Sequence, residues 1–419
     1  MVVAQQGSLV RASEELHRAQ SAVSRSVHEL ESHFGVTLFE RAPRRWLLTE
    51  FGRALHHRVR FAFAELHDAC ELLCARYPAA AFRLRAAPFF ALAVHERRLD
   101  LLAVFTRRQH ISAAALQMGI SQPAASIALH DLEASVGVPL FDRAHSGVAL
   151  TDAGEVLVAH IRRALAELRL AASELAALKG VIEGKVVIGA LPFGRSYVLP
   201  IAVGRLLQAH PRVQVSTVEA PLDALTHAVR LGDVDFLFGA LQPDARENDL
   251  VREELWAQPL AVMVRAGHPL AARSRPSLGD LLGSPWVLSR EGSPTRDAIA
   301  ACFAQARVEH PHVAVESSDL SIIRGLLLET DMVTAASPQL FQYELASGEL
   351  VALNVALPGT ERVIGLVRRT VEHSSPAARL LIEEIRKVRM DSGARAAIVP
   401  PPSAPPPRRH EPRRVARGA

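Results

Sequence analysis

The chain has 419 residues, 49% hydrophobic and 22% charged, which is enough for roughly two or three domains and excludes a wholly disordered or collagen-like molecule. No run of about 18 uninterrupted apolar residues occurs, and the first residues lack the basic, apolar, small-residue order of a secretory signal, so a cytoplasmic protein that spans no membrane is expected. The 48 basic and 44 acidic residues leave a formal net charge of +4, but residues 391–419 alone hold six arginines against two acidic groups, so charge does not by itself indicate a nucleic-acid partner.

The amino-terminal half is organised by a gapless repeat at an offset of 102 residues. Leu30, Glu31, Gly35, Val36, Leu38, Phe39 and Arg41 recur as Leu132, Glu133, Gly137, Val138, Leu140, Phe141 and Arg143, and Leu48, Thr49 and Gly52 return as Leu150, Thr151 and Gly154. The apolar rhythm that follows repeats as well: Leu55, Val59, Ala62, Leu66, Ala69 and Leu73 answer to Leu157, Ile161, Ala164, Leu168, Ala171 and Leu175. Each copy is therefore a compact unit followed by a long helix. In the first, Cys70 and Cys74 sit one helical turn apart in a leucine-rich stretch and read as buried free thiols; with only Cys302 besides, no disulfide framework, metal or cofactor is expected.

In the second copy, residues 112–118 predict a short helix closed by Gly119, and Ser121 can cap a second helix over residues 122–136. Pro123 is tolerated there because the first turn leaves its missing donor unpaired anyway. That second helix would bury Ala125, Leu129 and Leu132 and turn Gln122, Ser126 and His130 outward, and residues 139–150 would form a wing-like excursion around His145, Ser146 and Gly147. Helix, tight turn, helix suits DNA: the second helix fits a major groove, its first turn offers amides to a phosphate, and a glutamine can read a base edge. The same geometry also occurs inside all-α cores.

The residues Ile120, Ser121, Gln122, Pro123, Ala124, Ala125 and Ser126, with Gly137, Val138, Pro139, Leu140, Phe141, Asp142 and Arg143 further on, resemble the winged helix-turn-helix signature of LysR-type transcriptional regulators. The resemblance implies that Ser121, Gln122, Pro123 and Ser126 begin a DNA-facing recognition helix, with Arg143 beside the wing. Ile127 departs from it, standing where that family often has arginine. The first copy resembles the signature in Gln20, Ser24, Arg25 and Arg41, with Arg44 and Arg45 in its wing region; Ala19 replaces the capping serine, and the helix that Leu99, Leu102 and Phe105 lead in the second copy is expected to be truncated here. Both copies are expected to contact DNA.

Residues 157, 161, 164, 168, 171, 175 and 178 step alternately by four and three, a heptad seam on a helix expected over residues 152–179. Such a stripe needs a partner helix. We expect it from a second chain, as two-fold half-sites would favour, the alternative being the first copy's equivalent helix. Beyond residue 184 the pattern becomes strands at 185–191, 213–219, 234–241, 260–265, 286–288, 313–316, 332–336 and 363–368, with helices between them, which predicts a parallel sheet covered on both faces. Ligands in such sheets collect at strand carboxyl ends and helix amino termini, so the effector-binding candidates are Leu191, Pro192, Ser196, Gly239, Ala240, Ser289, Arg290, Ser293, Ser317, Ser318 and Ser337; each serine is more readily a helix cap, and Arg290 can be either a surface residue or the partner of an anionic effector.

Residues 185–389 resemble the LysR substrate-binding domain, a two-lobed fold related to periplasmic binding proteins, and the two units with Val187, Ile188, Gly189, Ala190, Leu191 and Pro192 are similar to the galactose-binding-protein regulators. The expected fold is thus α/β overall: an all-α winged helix-turn-helix unit at 1–52, its helix and connection at 53–94, a second unit at 95–154, a linker or dimerisation helix at 155–183, a two-lobed α/β effector domain at 184–390, and a disordered Pro/Arg-rich tail at 391–419. The resemblance implies double-stranded DNA, a small-molecule effector and a homo-oligomer as partners, with RNA polymerase a further one. An enzyme is disfavoured: no glycine-rich phosphate loop, Gly-x-Ser-x-Gly elbow or Cys-x-x-Cys pair is present, and His310 and His312 flank Pro311 without a companion ligand set. A solute-binding protein or a scaffold that no longer binds DNA remains as the alternative.

Overall fold

The computed structural model describes residues 1–42, 45–87, 101–102, 104–105, 111–144, 147–242 and 249–396. The first copy comprises α1 (Val2–Gln6), α2 (Leu9–Glu15), α3 (Gln20–Phe34), a hairpin of β1 (Phe39–Ala42) and β2 (Arg45–Leu48), and the long α4 (Glu50–Arg76), followed by α5 (Ala81–Ala86). The second comprises α6 (Ile111–Met118), α7 (Gln122–Val136), a hairpin of β3 (Phe141–Ala144) and β4 (Gly147–Leu150), and the long α8 (Asp152–Leu178). Both hairpins keep one register, Phe39 opposite Leu48 and Phe141 opposite Leu150. Of the wing residues expected in the second copy, His145 and Ser146 lie outside the described residues, as do Arg44 in the first copy and Leu99 of the second copy's leading helix.

The repeated motif residues have physical reasons. The Glu31 carboxylate accepts from the Leu38 and Phe39 amides at 2.7 and 3.3 Å, and Glu133 does the same for Leu140 and Phe141 at 2.8 and 3.2 Å, fastening α3 and α7 to their hairpins. Thr49 and Thr151 cap the long helices by accepting from Gly52 and Gly154, while their hydroxyls donate to the Thr37 and Pro139 carbonyls. A Cβ on Gly52 would lie 2.1 Å from the Leu38 carbonyl oxygen, and one on Gly154 2.2 Å from that of Leu140, so only glycine lets the long helix pass so close to the hairpin.

The long helices pack against each other within the chain, antiparallel. Arg76 at the end of α4 pairs with Asp152 at the start of α8, Glu65 near the middle meets His160 and Arg163, and Arg58 reaches Glu174. The heptad seam is buried accordingly: Leu157, Ile161 and Ala164 share a core with Ala62, Leu66, Ala69 and Leu73, and Ala171 and Leu175 pack with Leu38 and Leu55. In the chain described, the first copy's own helix, the alternative partner the sequence offered, packs along the seam and leaves Leu168 and Leu178 over a third exposed.

The carboxyl half forms two lobes. The first holds a five-stranded sheet in the order β6 (Val213–Val218), β5 (Gly184–Ala190), β7 (Phe236–Ala240), β14 (Arg362–Arg368), β8 (Val251–Gln258), covered by α9 (Val198–Ala209), α10 (Leu222–Arg230) and α14 (Pro376–Ala396). The second holds a three-stranded sheet in the order β12 (Thr334–Ala336), β9 (Ala261–Arg265), β13 (Leu350–Leu353), a parallel pair of β10 (Trp286–Leu288) and β11 (Val313–Glu316), and helices α11 (Pro294–Gln305), α12 (Leu320–Glu329) and α13 (Gln342–Ser347). The expected parallel sheet is corrected to a mixed one. β5 runs parallel to β6 and β7, but β14 is antiparallel to both β7 and β8, because the chain returns from the second lobe to complete the first. β8 and β13 were not foreseen; β8 alternates weakly in burial and carries the polar residues Arg252, Glu253 and Glu254. Helix α14 also runs through residues 391–396, which the sequence places in the tail, and residues 397–419 lie outside the described residues.

Candidate nucleic-acid interface and effector cleft

Helices α3 and α7 present their first turns in the same way. Gln20 and Gln122 are exposed, Ser24 and Ser126 half-buried one turn on, and Val23 and Ala125 are the buried residues that fix the helix face. The Ser121 hydroxyl caps α7 by accepting from the Ala124 amide at 3.3 Å, with Pro123 in the first turn; Ala19 gives α3 no such bond. In the first copy Gln20, Ser24, Ser8, Arg45 and Trp46 line a groove of about 380 Å³ between the two helices and the hairpin. Arg25 and Ile127, at equivalent positions, are both exposed. Arg41 and Arg143 belong to β1 and β3, and their side chains lie outside the described part of the structure.

Between the two lobes lies a cavity of about 250 Å³. Leu191, Pro192 and Phe193 after β5 line it from one side, and Leu260, Leu340 and Ala336 from the other. Its polar groups are few: Arg362, Thr295, Gln242 and Ser337. The Arg362 guanidinium donates to the Thr295 hydroxyl at 3.4 Å, and burial pushes it below its usual value against the opposing pull of Asp297. The buried Ser337 hydroxyl has no hydrogen-bond partner. Of the residues singled out from the sequence, Leu191, Pro192, Ala240 and Ser337 line this cavity; Ser196, Gly239, Ser289, Arg290, Ser293, Ser317 and Ser318 do not. Gly239 serves the close approach of two segments, since at φ 149° its Cβ would meet that of Leu191 at 2.5 Å. Ser293 caps α11 and bonds Ser289 at 2.6 Å, Ser317 accepts from the Asp319 amide, and Arg290 and Ser318 are exposed. Arg362 and Thr295 escaped the sequence reading because they enter the cleft only through the antiparallel return of β14 and the docking of α11, neither of which has a local signal.

A polar hub joins the helix pair to the effector lobes. Glu167, in the middle of α8 and 1% exposed, pairs with Arg58 of α4 at 3.0 Å, with Arg369 at 3.4 Å and with His373 Nδ1 at 2.6 Å. Burial by itself raises the Glu167 carboxyl, but His373 and Arg58 foremost outweigh it and hold the group below the usual carboxylate range. Arg58 also donates to the Glu372 carbonyl, and Arg169 to that of Gly232 at 3.2 Å. Cys70, Cys74 and Cys302 are buried free thiols. Cys70 and Cys74 come together with Glu71, yet burial and Cys74 push the Cys70 thiol up to about 11 and Glu71 is held by both Nε and Nη2 of Arg85, an arrangement poorly suited to a cation. Among the described residues no helix is long and apolar enough to cross a membrane.

A family model for the LysR substrate binding domain matches residues 179–389, and one for the bacterial regulatory helix-turn-helix protein of the lysR family matches twice, over residues 1–53 and 97–155. The chain belongs to the LysR family of DNA-binding transcriptional regulators. It is 43% identical over 386 residues to the HTH-type transcriptional regulator GalR of Pseudomonas putida, covering 92% of this chain and 94% of that one. It is 29% identical to GbpR of Azospirillum brasilense, over 73% of this chain and 89% of the relative. The crystal structure of full-length CbnR complexed with its target DNA shares the fold, with a TM-score of 0.50 and 19% identity over 70% of this chain and all of CbnR. For GbpR and CbnR the uncovered part of this LysR-family chain is about the length of one repeat.

Proposed function

We propose that the chain regulates transcription in the cytoplasm, without catalysis, by gripping promoter DNA through both helix-turn-helix units while its carboxyl lobes sense a small molecule. The observation that carries this is the presentation of the same two side chains at the start of both recognition helices, Gln20 and Gln122 exposed in the first turn and Ser24 and Ser126 half-buried one turn on. A glutamine there can bond an adenine edge, and the helix amides with Ser121, Arg41 and Arg143 can hold phosphates. Residues 1–52 and 95–154 then act as reading units, the helices and connection in 53–94 and 155–183 as the frame and 184–390 as the sensor, with 391–419 as a tail that takes no part in either task.

The effector would sit between the lobes, with Leu191 and Pro192 on its apolar walls and Arg362 and Ser337 as polar handles, a set that suits a small organic anion with an apolar body. Binding with unequal affinity to two lobe arrangements would be passed through the Glu167 hub to the helix pair and so to how DNA is held. Homo-oligomers, and any contact with RNA polymerase, would use surfaces other than the seam. The test is binding of the full-length protein to its own upstream DNA: Gln122→Ala with Ser126→Ala should abolish sequence preference in the half of the site that the second unit reads while the melting temperature holds, and an unchanged preference would overturn the reading. Thermal-shift screening against organic acids, aromatic acids and sugars should yield a stabilising acid whose effect Arg362→Gln removes.

A further inference from the structure

The two reading units are not merely repeated; they are related by a pseudo-two-fold axis across the antiparallel helices. Adding 102 to Arg58 and Glu65 gives His160 and Glu167, and the ion pair Arg58–Glu167 has its mate in His160–Glu65, at 2.8 Å. The apolar contacts obey the same operation. Leu38 and Leu55 of the first copy pack with Ala171 and Leu175 of α8, and Leu140 and Leu157 of the second share a core with Ala69 and Leu73 of α4. A symmetric pair of reading heads is thus complete within one chain. Each helix has 27 residues and spans about 40 Å, so the heads attach at opposite ends of the pair at points separated by a length on the order of one 34–36 Å turn of DNA, the spacing of two half-sites.

The heads nevertheless differ where they would meet bases. One residue beyond the shared serine, the first has Arg25 and the second Ile127, and Ile127 is 62% exposed, an apolar side chain with no place in the core. Arginine reads guanine O6 and N7, whereas an apolar side chain contacts the thymine methyl group. Resting on the DNA-binding reading above, we propose that one chain reads a two-part site with unlike halves, Arg25 selecting guanine in one and Ile127 selecting thymine at the equivalent position of the other. The frame is symmetric and the recognition surface is not.

Selection of sequences from a randomised duplex pool by the full-length protein tests this. The expected site has two halves at fixed spacing with guanine in one and thymine in the other. Ile127→Arg should convert thymine to guanine and make the site palindromic, and Arg25→Ile should weaken binding to the original site by about 5- to 150-fold. Both side chains are exposed, so the variants should melt as the parent does. Identical halves selected by the parent protein, or a site indifferent to Arg25→Ile, would overturn the proposal while leaving DNA binding standing; enrichment of no sequence would overturn both. That the two heads come from one chain is tested by treating the Arg76→Cys, Asp152→Cys variant with a bis-maleimide long enough to replace the Arg76–Asp152 pair: a cross-linked product of single-chain mobility is expected, and a two-chain product would show the seam exchanged between chains.

Discussion

The two helix-turn-helix copies share a frame and differ in how firmly each is built, and the difference separates what the fold requires from what one position can forgo. Glu31 and Glu133, Thr49 and Thr151, Gly52 and Gly154 make the same bonds in both. The turn between the helices does not. It needs a left-handed residue, supplied by Gly119 at φ 66° in the second copy and by His17 at φ 49° in the first, where a side chain is strained. The second copy caps its recognition helix with Ser121; the first leaves Ala19 there. Its leading helix also buries Leu101, Leu102, Val104 and Phe105, while the first relies on Val3 in a small cluster with Leu9, Ala12 and Val23. The exposed glutamine and the serine one turn on are kept in both although their support is thinner in one.

The comparison breaks most sharply at the pseudo-symmetric carboxylates. Glu167→Gln removes the anion that Arg58, Arg369 and His373 surround at 1% exposure and is expected to cost about 3–5 kcal/mol by denaturant titration. Glu65→Gln should cost less, since its side chain and that of its partner Arg163 remain about a quarter exposed. Both carboxyls are held below their ordinary range, burial opposing and the His and Arg partners prevailing, so their stabilisation is present above that range and lost as pH falls through their lower folded values. Stability should therefore decline below about pH 4, and the double variant should flatten that decline.

Smaller effects sharpen the contrast. Gly52→Ala and Gly154→Ala should each lose about 1–3 kcal/mol, equally in the two copies, because each Cβ meets a backbone oxygen that cannot move aside; a difference between them would show that one hairpin yields. Ser121→Ala should cost about 1 kcal/mol and Ala19→Ser should gain up to that amount, both read from thermal melting. His17→Gly should stabilise the first copy by up to about 1 kcal/mol, the smallest of these changes, since relief of strain is offset by a more flexible unfolded chain.

Much of this was legible in the chain before folding. The recognition helix at 122–136 and the buried Ala125, Leu129 and Leu132 followed from helical period, the Ser121 cap and Gly137. The strands at 286–288 and 313–316 followed from short apolar runs. The cleft was only partly legible: topology placed Leu191 and Pro192 at a strand end, but picked Arg290, which is exposed, over Arg362, which lies 72 residues further on and reaches the cavity only because β14 returns antiparallel from the second lobe. Local pattern carries no information about such a return.

Sequence alone determined the duplication, the register of each helix-turn-helix, and the existence of a long apolar stripe on residues 157–178, because each depends on spacing along a few turns of chain. Only the tertiary structure decided which helix covers that stripe. A heptad specifies that a partner must come and at what period, but two copies of one pattern are equally complementary to themselves and to each other; the matched pairs Arg58–Glu167 and His160–Glu65 join the two copies within the chain.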